Sequence, residues 1–310
     1  MIAYVLRRFL QAIPVLFGIT LAAFFLIQLV PGDPARIVLG AQATPSAVAT
    51  LNAQLGLDQP LFQQYLDFVT GALTLDFGES ITQKTSIGPL LGERIPVTFF
   101  LLLYSVAIAI VVAVPLAVIS ALRRNRAADH GIRLFSMVTF AMPSFLLGLL
   151  LILAFSLNLG WLPTSGYGEG FVGHLRSLTL PAITVGLYLA PILLRTLRVG
   201  IIETLGAEYV EAARARGISE RRVVLKHVLR NSLVSTVTVL GLNIGFLLSG
   251  LVIIENVFAL PGLGSELVSS VVNRDYPTVQ ALALLFGVAV VAINLATDLL
   301  YAALDPRVRL

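Results

Sequence analysis

The chain has 310 residues, 57% of them hydrophobic and 12% charged, with a mean hydropathy of +0.91. Soluble domains carry roughly 25% charged residues, so this chain has too little polar surface to cover a globule in water, and a bilayer is its natural solvent. The formal charge of +4 and the pI of about 9.6 do not indicate nucleic acid, because the arginines sit in short gaps between apolar runs, the pattern of membrane topology. Zero cysteines exclude disulfides, thiolate metal sites and cysteine nucleophiles. His130, His174 and His227 lie far apart and form no ligand-spacing motif. No G-x-x-x-x-G-K-[ST] phosphate loop occurs, so any ATP that drives this protein is bound by another chain.

A transmembrane helix needs roughly 20 apolar residues to cross about 30 Å of hydrocarbon. Six segments qualify, at about 9–30, 97–122, 134–157, 178–202, 233–257 and 278–303. The first begins after Arg7-Arg8-Phe9-Leu10, which resembles a twin-arginine signal, and Ala41-Gln42-Ala43 resembles a cleavage site. Its apolar run exceeds the core of a typical signal peptide, so an uncleaved first helix is expected. Pro14, Pro115, Pro143 and Pro191 are expected to kink their spans.

The segment 31–96 is predicted to be an external helical cap. Pro31-Gly32-Asp33-Pro34 ends the first helix, a helix is plausible from Pro45-Ser46, Leu55 to Pro60 is a break, and Leu61 to Leu73 carries apolar residues at helical spacing. Alternate gaps differ in charge. Those holding Arg7 and Arg8, Arg123 to Arg133, Arg195 to Arg230, and Arg307 and Arg309 contain sixteen of the 21 basic residues. The positive-inside rule places these gaps, and both termini, in the cytoplasm. The remaining 97–310 is then a five-helix core.

The gap at about 203–232 carries the most information. Ala207 to Arg216 is a short run of good helix formers, with Glu208 and Glu211 early and Arg214 and Arg216 late, matching the helix dipole. Gly217 supplies a left-handed stop, and Ser219 is placed to cap a second helix with Glu220 at its positive end. Two short helices with a hinge, facing the cytoplasm, suit docking into a groove of another protein. Ala212 and Ala213 would permit close approach there. The plainer reading is a solvated basic loop that only enforces topology. Polar residues within spans are functional candidates by default: Gln28, Asn158, Asn243, Glu255, Asn294 and Asp298. Gln28, Asn243, Glu255 and Asn256 are the pathway or gate candidates. Glu255 either touches substrate or a gate, or caps the Pro261-Gly262 turn. Asp298 is expected to pair with an arginine.

Glu211-Ala212-Ala213, Gly217 four residues on, and the stretch ending Leu229-Arg230-Asn231 resemble the EAA loop of membrane subunits in binding-protein-dependent ABC importers. The rest of the chain is similar to one branch, the B-type permeases of dipeptide, oligopeptide, glutathione and nickel uptake. The similarity runs through Arg8-Phe9-Leu10, Leu29 to Pro34, Leu55 to Pro60, Met142 to Phe145, Gly160 to Pro163, Glu255 to Phe258, Pro261 to Gly264 and Asn273 to Pro277. Two positions depart from that branch's usual pattern, Leu75 to Gly78 and the absence of a proline near Ser235.

The resemblance implies an all-α, polytopic type I importer permease of six transmembrane helices with a cytoplasmic coupling helix, in a bacterial inner membrane. It implies a C-type permease paralogue as partner, two ATP-binding cassette subunits holding ATP and Mg, and a periplasmic or lipid-anchored substrate-binding protein. No cofactor is expected in this chain, which would not itself be an enzyme. Glu208, Glu211, Ala212, Ala213 and Gly217 would form the contact with a cassette. The rival readings are a secondary transporter, which would need a midplane ion site on repeated halves, and a membrane scaffold, whose loops should lack the EAA spacing.

Overall fold

The computed structural model describes residues 2–28, 32, 34–40, 43–54 and 56–304. Pro31, Asp33, Ala41, Gln42, Leu55, Arg307 and Arg309 therefore lie outside the described residues. Thirteen helices follow one another among those described. They are α1 (Ile2–Gln28), α2 (Pro34–Leu39), α3 (Pro45–Gln54), α4 (Leu61–Thr74), α5 (Ile87–Leu122), α6 (Ala127–Ala141), α7 (Ser144–Leu151), α8 (Gly170–Leu205), α9 (Glu208–Ala215), α10 (Glu220–Arg222), α11 (Arg230–Val257), α12 (Leu263–Val272) and α13 (Tyr276–Leu304). Two π-helical stretches, Ile152–Asn158 and Val223–Leu229, prolong α7 and join α10 to α11. The described residues hold no strand, only one isolated bridge, Glu79 to Ser86.

Five helices are long and apolar enough to cross a bilayer, and a sixth span arises when α6 and α7 count together. The kinked span expected at 134–157 is bent further, into two arms at 103° between α6 and α7. The cause is local. Pro143 cannot donate to the helix ladder, and its ring forces Met142 out of the helical region, to ψ 129°. The arms are 15 residues and 8 plus 7 residues, each short of the roughly 20 a crossing needs. Pro14, Pro115 and Pro191 lie inside continuous helices. α5 and α8 begin well before the expected span edges, and the first turns of α5 stand in the cap. There Ile87 and Leu91 bury against Leu263, Ala281 and Leu282.

α8 is the axis of the bundle. Of its most apolar window 72% is buried, against 17% for α1. Its main partner is α5, which offers a seam at every fourth position, Leu101 followed by the small residues Ser105, Ala109, Ala113, Ala117 and Ala121, all buried. Lipid tails are as apolar as leucine, so helices in a bilayer associate through close packing that small residues permit. Gly186 of α8 meets this seam so closely that a Cβ there would lie 2.9 Å from the Ser105 carbonyl oxygen.

α1 and α13 form a peripheral antiparallel pair in tight register. Gln280 Nε2 donates to the Phe24 carbonyl at 2.9 Å, a Cβ on Gly287 would lie 2.5 Å from Ile19, and Arg8 pairs with Asp298 at 3.2 Å. The expected arginine partner of Asp298 is thus Arg8. Polar contacts concentrate at the two ends of the bundle. One end carries α9; the other carries α12 and the cap helices α2 to α4.

Candidate coupling loop and translocation face

α9 is held to the bundle by one face. Val210 and Ala213 are buried, in the same core as Val223 and Val228, while Glu208, Glu211 and Ala212 are exposed. At 100° per residue the two sets fall on opposite sides of the helix. The expected pairing of Ala212 with Ala213 therefore divides: Ala212 lies on the open face with Glu208 and Glu211, and Ala213 packs inward.

The turn that ends α9 has the predicted form. Gly217 has φ +76°, and the N–H groups of Gly217 and Ile218 donate to the carbonyls of Arg214 (2.9 Å) and Ala213 (3.3 Å). A left-handed residue after the helix satisfies carbonyls that would otherwise be orphaned. Ser219 occupies the cap position of α10 but makes no side-chain capping bond. The hinge is closed instead by Arg214, whose Nε and Nη2 donate to the Glu220 carboxylate at 2.6 and 3.4 Å. This hydrogen bonding holds the Arg214 guanidinium above its ordinary pKa.

Two further bonds tie the loop to the spans. Asn231 Nδ2 donates to the Tyr209 hydroxyl at 2.7 Å, joining α9 to α11, and Ser232 Oγ donates to Thr204 Oγ1 at 3.2 Å, joining α11 to α8. Sequence reasoning missed the strongest knot at this end. Asp129, fully buried, accepts from Ser120, from Arg198 Nε (3.0 Å) and Nη2 (2.8 Å), and from the Asn125 N–H (3.0 Å). One carboxylate thus binds α5, α6 and α8. The signal was present, since Asp129 is the sole acid between Glu93 and Glu169 and arginines flank it.

The four pathway candidates separate. Asn243 lines a groove of about 450 Å³ between α6, α8 and α11, with Phe140, Tyr188, Ile192, Phe246 and Ile253. Its amide donates to the Val239 carbonyl at 2.7 Å, and Phe140 stacks on Tyr188 at 6.0 Å. Glu255 lies elsewhere and is fully buried. Its carboxylate accepts from Thr98 Oγ1 (2.6 Å) and from the N–H groups of Gly264 (2.7 Å) and Ser265 (3.0 Å). It anchors the positive end of α12, as a buried carboxylate at a helix N-terminus does. Of its two expected roles the structure displays the capping one. Asn256 is exposed, its amide donating to the Val252 carbonyl. Gln28 bonds Gln64 of the cap at 3.1 Å. Asn158 and Asn294 are exposed.

The cap end has two more buried carboxylates. Glu266 accepts from Gln83 (2.7 Å) and pairs with Arg94 (2.6 Å). Asp275 accepts from Ser80, from Thr82 Oγ1 (2.8 Å) and from the Ile81 N–H (3.2 Å). Burial alone would raise the Asp275 pKa, but these donors outweigh it and hold the carboxyl below its ordinary value.

The described residues thus form a polytopic helical membrane subunit with a short amphipathic helix, α9, pinned at one end and an open groove along one side. Residues 113–310 match the family described as the binding-protein-dependent transport system inner membrane component, and residues 1–102 match the N-terminal region of such membrane components. The chain belongs to this family and is a permease subunit of an ABC importer in the inner membrane, working with a partner permease, ATPase subunits and a substrate-binding protein. It is 39% identical over 309 residues to the glutathione transport system permease protein GsiC of Escherichia coli K12, covering 100% of this chain and 99% of that one. The GsiC protein of Shigella dysenteriae serotype 1 is equally similar. Among solved structures, an inward-facing MetNI methionine ABC transporter chain aligns with a TM-score of 0.59 at 20% identity, covering 70% of this chain and 96% of that one. A chain of an amino acid ABC transporter with histidines aligns at 0.51 and 15% identity, covering 71% and 94%. The solved structures support the fold.

Proposed function

We propose that this chain forms half of a translocation pathway for small peptides, with glutathione in the accepted class. The full-length similarity to a glutathione permease carries this reading. In the proposed assembly the chain pairs with a C-type paralogue, so that the Asn243 groove faces the partner's equivalent surface. Two ATP-binding cassettes, holding ATP and Mg, dock on the EAA loops of the two permeases; the chain itself hydrolyses nothing. Both termini and α9 face the cytoplasm, as the arginine distribution supports. A periplasmic or lipid-anchored binding protein meets the cap end.

In this mechanism Glu208, Glu211 and Ala212 form the face that enters a cassette groove, with Glu211 meeting a basic group there. Val210 and Ala213 hold α9 to the bundle, so that the cassette's closure moves helices rather than a loose loop. The groove is mostly apolar, with few fixed polar contacts, which suits cargo of varied side chains; selectivity would reside largely in the binding protein. Gln28 and Asn256, at the cap end, stand nearer the entrance than Asn243 does.

The test is uptake of labelled di- and tripeptides and glutathione into proteoliposomes holding the complex, with its cognate binding protein. Uptake that needs both ATP and the binding protein is expected. Uptake by this chain alone, driven by a proton or sodium gradient, would overturn the proposal in favour of a secondary transporter.

A further inference from the structure

α4 stands apart from the other cap helices. Its residues sort into three faces when projected at 100° per residue. Tyr65 and Phe68 point to α1: the Tyr65 hydroxyl lies 2.8 Å from Thr20 Oγ1, and Phe24 packs against both rings at 5.5 and 6.2 Å. Asp67, Thr70 and Thr74 face a cavity shared with Pro277 and Gln280 at the start of α13. The third face holds Phe62, Leu66, Val69 and Leu73, within about 60° of arc. Among the described residues no side chain covers it fully, and Phe62, Leu66 and Leu73 are 72%, 39% and 81% exposed.

The register of α1 on α13 gives the depth of this face. Phe24 is level with Gln280, Ile19 with Gly287 and Arg8 with Asp298. The apolar span of α13 runs Tyr276–Leu299, so Ile19 and Thr20 stand near its midpoint. Tyr65 therefore reaches toward the middle of the bilayer. Gln64 bonds Gln28, and Phe68 packs on Phe24, about one turn below the outer end of α1. α4 thus lies below the outer headgroups, within the outer part of the hydrocarbon, and its apolar stripe stands beside the exposed apolar surface of α1, where Phe17, Phe25 and Leu26 are open. A helix with a strong apolar face and a polar opposite face, lying at that depth, sits in the interface plane with its apolar side in the acyl region.

We infer that α4 is an interfacial lipid-binding helix, whose Phe62, Leu66, Val69 and Leu73 enter the acyl chains of the leaflet at the cap end. Asp67, Thr70 and Thr74 keep the cavity beside α13 wet. The cap is then anchored through the membrane as well as through protein contacts, which fixes its height above the spans. The inference does not depend on the substrate or on which side of the membrane is which.

The chain has no cysteine, so once the partner subunits' cysteines are replaced, a single introduced cysteine is the sole labelling site. Phe62→Cys, Leu66→Cys, Leu73→Cys, Asp67→Cys and Thr70→Cys would be labelled in the assembled importer, reconstituted in phosphatidylcholine–phosphatidylglycerol vesicles. Power saturation would then compare collision with dissolved oxygen and with a water-soluble nickel chelate. Labels at 62, 66 and 73 are expected to favour oxygen several-fold over those at 67 and 70. Two results would overturn the inference: labels on the stripe that collide freely with nickel, meaning water covers the face, or that are shielded from both reagents, meaning a protein subunit does.

Discussion

Gly217 offers the sharpest test of the coupling loop. Its φ is +76°, and a Cβ built on it would meet no atom within 4 Å. Space is therefore not the constraint, and the whole penalty of a side chain comes from the backbone. An L-residue in this region costs about 1–2 kcal/mol, and every 1.4 kcal/mol is tenfold in an equilibrium. Gly217→Ala should thus lower the equilibrium constant for the observed turn about tenfold, Gly217→Val should lower it further, and Gly217→Asn, which tolerates left-handed geometry, should lose least. The losing conformers break the bonds from Gly217 and Ile218 to α9 and loosen the hinge that fixes α9 against α10. The assay is uptake per ATP hydrolysed in reconstituted importer. Coupling should fall in the order Gly, Asn, Ala, Val, and Glu211→Lys should uncouple without touching the turn. Wild-type coupling in the Val variant, or equal losses for Asn and Val, would refute the reasoning, since positive φ would then not be what the position requires.

Two further predictions concern the buried carboxylates. Breaking a buried ion pair by removing one partner costs about 3–5 kcal/mol, because the other charge stays behind unpaired. Asp129→Asn should therefore lower the thermal stability of the detergent-purified subunit sharply, and adding Arg198→Met should recover part of the loss; a double variant as unstable as the sum of both singles would count against the pair. At Asp275 the folded carboxyl is held below its unfolded value near 3.9. Its stabilisation is complete above about pH 4 and is lost as pH falls through the lower folded value. The difference in melting temperature between wild type and Asp275→Asn should be constant at higher pH and shrink in stronger acid; a difference that widens on acidification would contradict this sign.

How much of this was legible in the sequence depends on the range of the interaction that decided each feature. The spans, the helical character of 45–54 and 61–74, and the α9–Gly217–α10 hinge are local. They follow from apolar length, helix formers and a glycine with a left-handed backbone; the hinge and the last two spans were read within a few residues, while α1, α5, α6 and α8 begin well before the expected edges. The Arg8–Asp298 pair was half legible, as an intramembrane acid demanding a cation whose identity needed the fold. The break at Pro143 was under-read, because a proline alone does not distinguish a kinked helix from two arms at 103°. What escaped altogether was long-range. Thr98, Glu255 and Leu263 meet across 157 and 165 residues, and Ser80 and Asp275 across 195. No periodicity encodes such a meeting, so Glu255 could be flagged as special without revealing that it caps α12.

The placement of these knots bears on how the subunit moves. Buried carboxylates are expensive unless fully bonded, yet this chain maintains them at both ends of the bundle, and beyond Leu101 it keeps the α5 side of the seam with α8 to alanines and a serine. Bonded ends resist local unravelling, so a push on α9 must be carried by α8 and its partners as bodies. A seam of small side chains presents few interlocking knobs and lets helices shift against one another at little cost in packing. The Asp129 carboxylate, gripping α5, α6 and α8 together beside α9, would make these three helices answer a cassette as a unit, while the bend at Pro143 leaves α7 free to follow a different course.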